Sequence, residues 1–372
     1  GDIFRRLLKE YELPAGRPLR VLDLCAAPGG KTTDLAASLR EACGDGFVLV
    51  ANEVMKQRAG ILASNVALWG DPNVVVTSDD PKAFTPFTGY FDIILADVPC
   101  SGEGMFRKDE QACEQWSEDN VALCEGRQRR IIADVWPALA DGGLLVYSTC
   151  TFNKYENDGN VRWIADNLGG SPVFNAPASP FGGVIATEYG FSLVPGFVKG
   201  EGQYCSAVRK QGGSIAVSEF RQYKTRPSKD KGTPIPASLK ELFSIDVNFR
   251  QRGETIIALP ASLAQEIAFL ESGLNVIAAG CAAGTVKGKD FIPDADLALS
   301  IVLADGAYPE AEVDLDTALA YLHRDAIVLK DAPKGFVLIR FEGVPLGFVK
   351  NLGNRCNNLH PQGRRIRMDI KE

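Results

Sequence analysis

Asp97, Cys100 and Cys150 are the residues of this 372-residue chain whose types and settings could do chemistry. Asp97 follows the apolar run Phe91-Asp92-Ile93-Ile94-Leu95 and opens the stretch DVPCSGEGMFRKD. Proline stops a ladder and glycine turns a backbone tightly, yet neither needs a carboxylate or a thiol nearby. Cys150 ends a second apolar run, in GGLLVYSTCTFN. A thiolate is strongly nucleophilic near neutral pH once its pKa is lowered. A carboxylate at a neighbouring strand tip can hold or pass a proton. Histidine has little part in such chemistry here, because only His323 and His360 exist and both read as structural. Nine cysteines without a CxxC pair argue against a disulfide framework and against a zinc site, so no metal is expected.

The elements that carry these residues follow from the pattern of apolar runs. LRVLDL, GFVLVAN, NVVVTS, FDIILAD and LLVYST read as strands, and they alternate with helices over 31–42, 55–69 and 119–140. The alternation predicts an α/β fold: a doubly wound, mostly parallel sheet with helices on both faces. FSLVPGFVKGEGQYCSAVRK reads as a closing hairpin. Residues 1–210 therefore form a first domain and 211–235, polar, basic and rich in Pro and Gly, a linker. Residues 236–372 form a smaller α+β domain with a barrel-like sheet. Its strands are TIIALP, LNVIAAG, GFVLIRFEG and VPLGFVK, with helices over 261–271 and 315–322. The four tryptophans, Trp69, Trp116, Trp136 and Trp163, fall at helical positions and read as core.

Charge and hydropathy narrow the class. The net charge is −7, which excludes a uniformly basic nucleic-acid binder. Lys199–Lys231 nevertheless holds eight basic against three acidic residues, and Lys350–Glu372 holds six against two. Such islands fit a local phosphate-contact surface. Arg107 and Lys108 lie beside the Cys100 loop, and Arg355, Arg364, Arg365 and Arg367 lie in the tail. No stretch of about 18 uninterrupted apolar residues is present, so no membrane span is expected. The charged, amphipathic N-terminus is not a signal peptide, which points to the cytoplasm.

VLDLCAAPGGKTTDL runs from strand to small-residue loop to helix. Such a loop lets a ligand approach the backbone closely. It is neither a Walker loop nor GxGxxG, which speaks against a nicotinamide-dependent oxidoreductase. Glu53 ends the second strand, Asp79 and Asp80 end the third, and Asp97 ends the fourth. Ligands of doubly wound sheets sit beyond these strand ends, and an acid at the second tip holds a ribose diol. Three of these acids, Glu53, Asp80 and Asp97, around one pocket suit a cationic adenosine ligand such as S-adenosylmethionine better than a pyrophosphate.

LDLCAAPGGKT, ANEVMKQRA, DVPCSGEGMFRKD and YSTCTFNKYEN together resemble the RNA 5-methylcytosine methyltransferases of the NOL1/NOP2/Sun family, in particular its bacterial RsmF branch. RCNNLHPQGRRIRM resembles the end of that branch's PUA-like, RNA-binding tail domain. The resemblance implies a class I, Rossmann-like methyltransferase that uses S-adenosylmethionine on small-subunit ribosomal RNA. It implies that Cys25, Ala26, Ala27, Pro28, Gly29, Gly30 and Lys31 wrap the methionine part of the cofactor. Glu53 would hold the ribose, Asp80 would lie near the adenine, and Asp97 between cofactor and target base. Cys150 would be the nucleophile and Cys100 the helper thiol. Members of the branch carry an RNA-contacting region ahead of these motifs, and the expectation is that this chain lacks it.

The implied chemistry has a physical logic. Carbon 5 of cytosine is a poor nucleophile until a thiolate adds at carbon 6. Lys31 or a backbone dipole is expected to favour the Cys150 thiolate, and a protonated Asp97 to meet charge developing on the ring. Cys100 is expected to remove the carbon-5 proton or aid release. Arg107 and Lys108 are expected to hold phosphates beside the flipped base, and Arg355, Arg364, Arg365 and Arg367 to grip RNA from the tail. Arg127, Arg129 and Arg130 read as surface or intramolecular pairs. The expected partner is RNA, with no membrane, and the chain is expected to be a monomer. A transfer-RNA cytosine-5 methyltransferase and a catalytically silent RNA-binding assembly factor stay open as alternatives.

Overall fold

A computed structural model describes residues 2–173, 183–212, 235–288 and 290–368. Most of the linker expectation, 211–235, lies outside the described residues. The described chain divides into two compact units. One draws on residues within 1–62, 75–223 and 269–277, and the other on residues within 63–74, 224–268 and 278–372.

In chain order the elements start with helix α1 (Asp2–Glu10). Then come β1 (Leu19–Asp23), α2 (Gly30–Cys43), β2 (Phe47–Asn52), α3 (Lys56–Trp69), β3 (Val74–Thr77) and β4 (Phe91–Asp97). Next are α4 (Glu110–Gln115), α5 (Glu118–Val135), β5 (Leu139–Thr149), α6 (Asp158–Leu168), β6 (Gly170–Pro172), β7 (Val184–Ala186), β8 (Phe191–Leu193) and β9 (Gln203–Lys210). β1, β2 and β3 are buried at every position, as is β4 up to Ala96. That burial on both faces explains why they read as continuous apolar runs rather than alternating ones.

With β12 (Val276–Ala279) at one edge, the main sheet runs β12-β3-β2-β1-β4-β5-β9-β8-β7, with β6 paired to β9. β1 is parallel to β2 and β4, and β4 to β5; β9 closes the sheet antiparallel to β5. The strand order reverses between β1 and β4, and the crevice beyond that switch point is where open α/β sheets take ligands. The sheet also takes up β12 (Val276–Ala279), a strand the sequence reading assigns to the tail domain.

The remaining elements are β10 (Val247–Arg252), β11 (Thr255–Pro260), α7 (Ala264–Gly273), β13 (Cys281–Lys287), β14 (Asp290–Pro293), α8 (Ala295–Leu299), β15 (Glu310–Glu312), α9 (Leu315–His323), β16 (Gly335–Phe341), β17 (Val344–Asn351) and β18 (Cys356–Asn358). The barrel-like sheet expected for the tail is instead two four-stranded sheets, β10-β11-β13-β14 and β15-β16-β17-β18. Ile256, Leu297, Leu338 and Phe348 share one core there, and Tyr321, Val337, Ile339 and Val349 another. Among the described residues no helix is long and apolar enough to cross a membrane.

Candidate active site

The register of β4 on β5 sets Asp97 opposite Ser148, so the chain leaves both strands at one level. Three residues past Asp97 stands Cys100, and two past Ser148 stands Cys150. Their sulfurs lie 3.1 Å apart as free thiols, each half-buried. The Cys100 S–H at this distance holds the Cys150 thiol below its usual range, against burial and the nearby Asp97 charge. Cys100 itself is pushed well above the ordinary thiol value, first by that hydrogen bond and then by burial. The nucleophile assignment to Cys150 therefore has a physical basis. The cause differs from the one expected: Cys100 acts first, and Lys31 is a smaller contribution.

Asp97 accepts from three donors. Lys31 Nζ lies 2.8 Å from Oδ2, while Ser148 Oγ and Gln203 Nε2 lie 2.6 and 3.2 Å from Oδ1. All three contacts have the carboxylate accepting, so the acidic hydrogen asked of Asp97 is nearest at hand on the Lys31 ammonium. Burial works against that ammonium, but the Asp97 carboxylate prevails and raises it.

Two carboxylates, Glu156 and the half-buried Glu103, knit the cysteine loops together. Glu156 is fully buried. It accepts from Ser101 N–H at 3.0 Å, Gln128 Nε2 at 2.7 Å and Asn153 Nδ2 at 2.8 Å. Glu103 accepts from Phe152 N–H at 2.7 Å and Trp116 Nε1 at 3.1 Å. Gly104 N–H donates to the Cys150 carbonyl at 2.7 Å. A Cβ at Gly104 would stand 2.6 Å from that oxygen and 2.9 Å from the Glu201 carbonyl, so only glycine fits.

The other expected ligands line the tips of β1, β2 and β3. Ala26, Ala27 and Gly29 are buried, Cys25 is half-buried, and Pro28, Gly30 and Lys31 are exposed. Gly29 takes φ 114° just ahead of α2. Glu53 is buried, paired to Arg58 at 3.2 Å and accepting from Met55 N–H at 2.9 Å. Asp80 is exposed; it caps the turn Pro81–Phe84 and meets Arg130 at 3.4 Å. Asp79 instead accepts from Asn275 N–H at 2.9 Å, and burial raises it. Arg129 and Arg130 form the intramolecular pairs expected of them.

Sequence reasoning missed the residue that joins these tips. Asn52 Nδ2 donates to the Leu24 and Asp79 carbonyls at 3.1 and 3.0 Å, and its Oδ1 accepts from Thr77 Oγ1 at 2.9 Å. The signal was an amide ending a strand directly before Glu53. Two further expectations change. Trp69 and Trp116 are exposed rather than core. Arg364 is not free for RNA, because Nη1 lies 2.7 Å from Asp296 Oδ1 and both side chains are largely covered. Arg355, Arg365 and Arg367 are exposed, as expected of phosphate contacts. Arg107 and Lys108 are exposed as well, but Glu201 engages both, at 2.9 and 3.7 Å.

A family described as 16S rRNA methyltransferase RsmB/F matches residues 14–207, more than half of the chain. The chain belongs to that family. A second match, to the methyltransferase RsmF PUA domain, covers residues 308–366. Ribosomal RNA small subunit methyltransferase F of Serratia proteamaculans (strain 568) is 32% identical over 94% of this chain and 74% of that protein. The protein of the same name from Shewanella loihica (strain ATCC BAA-1088 / PV-4) is 32% identical over 92% and 72%. Among solved structures, NSun6 from Pyrococcus horikoshii with SFG is 26% identical, with a TM-score of 0.44 over 57% of this chain and 51% of that one. The family makes the chain a methyltransferase, and the resemblance read from the four motifs is borne out.

Proposed function

We propose that the chain methylates carbon 5 of a cytosine in small-subunit ribosomal RNA, with S-adenosylmethionine as donor and Cys150 as covalent nucleophile. The observation that carries this reading is the sulfur pair, 3.1 Å apart, beside Asp97 and the Lys31 ammonium. Cys150 Sγ bonds to carbon 6 of the base, and the electrons of the 5,6 double bond shift toward carbon 5 and the ring. The Lys31 ammonium, held by the Asp97 carboxylate, is the group that can balance negative charge on the ring as this happens. Carbon 5 then takes the methyl group. Once Cys150 is bonded to carbon, Cys100 no longer donates to a thiolate; it gives up its own S–H proton to solvent, and the resulting thiolate takes the carbon-5 proton. Loss of that proton lets the Sγ–C6 bond break, which restores the double bond and the thiolate.

S-adenosylmethionine, when bound, supplies an electrophilic methyl on a sulfonium. The residues at the strand tips fit it. Gly29 and Gly30 leave the 25–31 backbone open to close approach, with no described residue within 4 Å of a Cβ at Gly30. Asp23 Oδ1 is buried with no hydrogen-bond partner among the described residues, and burial pushes this carboxyl up to about 7, so a ligand ammonium would satisfy it. Glu53 suits a ribose diol, and Asp80 the adenine side. RNA phosphates would meet Arg107, Lys108, Arg355, Arg365 and Arg367. With this reading go a cytoplasmic location and action as a single chain.

The test is transfer of labelled methyl from S-adenosylmethionine to unmodified small-subunit ribosomal RNA by the full chain. The expected label is in 5-methylcytidine and vanishes with Cys150→Ala. Label in another nucleoside, or label that survives Cys150→Ala, would overturn the assignment.

A further inference from the structure

We infer that Glu201 stands, in the RNA-free enzyme, where a backbone phosphate of the substrate is later held by Arg107 and Lys108. The inference rests on the RNA reading above and adds a phosphodiester subsite with an internal stand-in. Arg107 donates from Nε to Glu201 Oε2 and from Nη2 to the Gly200 carbonyl, both at 2.9 Å. Lys108 Nζ reaches the other carboxylate oxygen at 3.7 Å. Two cations thus share one carboxylate, and a net positive charge remains. A phosphodiester presents one negative charge over two free oxygens, as a carboxylate does, and guanidinium groups bind both in the same forked manner.

The setting favours RNA as the occupant. Both cations remain more than half exposed, so a larger anion can reach them. Met105, Phe106, Trp116 and Phe197 are exposed around the same two loops, and exposed rings are what unpaired bases stack on. The Glu201 loop is fixed to the catalytic centre. Its carbonyl closes over Gly104, and a Cβ at Gly202 would stand 2.5 Å from the Phe152 ring, two residues past Cys150. Gln203, two residues past Glu201, donates to Asp97. A phosphate exchanging with Glu201 would therefore lie against the loops that carry both cysteines.

The experiment measures binding of in-vitro transcribed small-subunit ribosomal RNA to the full chain, with methyl transfer to the same RNA followed in parallel. Glu201→Gln is expected to bind about three-fold tighter, the order of one exposed ion pair removed from competition. Arg107→Gln/Lys108→Gln is expected to bind more weakly. Its log–log salt slope should be shallower by roughly 0.7 to 1.4, as one or two fewer single-strand phosphates are neutralised. Adding Glu201→Gln to that double variant should then change nothing. Unchanged or weaker binding by Glu201→Gln alone overturns the inference, as does a gain that persists without the two cations. If the wild-type chain methylates the RNA while Glu201→Gln shows no gain, only this inference falls. If the chain neither binds nor methylates, the functional reading falls with it.

Discussion

Replacing Cys100 by alanine removes the hydrogen that holds the Cys150 thiolate, and the cost can be worked out. A hydrogen bond to a charged group contributes roughly 1.5–3 kcal/mol, and 1.36 kcal/mol is a factor of ten. Below the titration range the thiolate fraction at Cys150 should fall by about ten- to 150-fold. A more basic thiolate is also a better nucleophile, with a Brønsted coefficient near 0.4–0.5. About half the loss on the logarithmic scale is thereby recovered, which leaves a net slowing of roughly four- to fifteen-fold. The assay is alkylation of Cys150 by iodoacetamide at pH 6, followed by peptide mass spectrometry. Exposed Cys113 in the same digest serves as the internal standard. Cys100→Ser, which keeps a short donor, should recover part of the rate. An unchanged or faster rate for Cys150 in Cys100→Ala would refute the claim that Cys100 favours the thiolate.

Gly104→Ala forces a methyl to within 2.6 Å of the Cys150 carbonyl. The methyl-transfer rate constant should fall on the order of 100-fold, the cost of about 1 Å of misplacement, while circular dichroism stays native. Arg364→Ala leaves Asp296 without its partner and should lower denaturant stability by about 1–3 kcal/mol. Arg365→Ala, at an exposed position, should change stability by less than about 0.5 kcal/mol but weaken RNA binding in filter assays. His360 is buried with its ring 5.4 Å from that of Tyr321, and burial lowers its pKa. The folded protein thus favours the neutral ring. Its contribution to stability should be flat above the unfolded value near 6.5 and should fall as pH drops below it. It should level off once the folded value is passed. Thermal melts of His360→Gln should lack this component. Asp23, raised to about 7, titrates in both proteins with the opposite sign and cancels in the comparison.

The strands of the main sheet were legible because burial on both faces leaves unbroken apolar runs, as in Phe47–Asn52 and Val74–Thr77. The loop tips were legible because Gly and Pro mark where strands end, and the chemistry-bearing residues follow directly. What stayed hidden depends on partners far apart in the sequence. Glu156 is buried against Gln128, 28 residues earlier on α5, and nothing local marks that pair. Arg107 meets Glu201 across 94 residues, and Arg364 is drawn to Asp296 on α8. Each of those cations reads from sequence as a free phosphate contact. Val276–Ala279 shows the same limit for backbone: its apolar run announces a strand, but not the sheet it joins.

The proposed reaction stands on a bond between Cys150 and the cytosine ring, and the direct measurement is to trap it. Cys100→Ala, incubated with S-adenosylmethionine and unmodified small-subunit ribosomal RNA, is digested with nuclease and protease and analysed by mass spectrometry. The expected product is a methylated cytidine attached to the peptide that contains Cys150, absent when Cys150 is also replaced. Free 5-methylcytidine formed at the wild-type rate with no adduct, or an adduct on any other residue, would contradict the covalent mechanism.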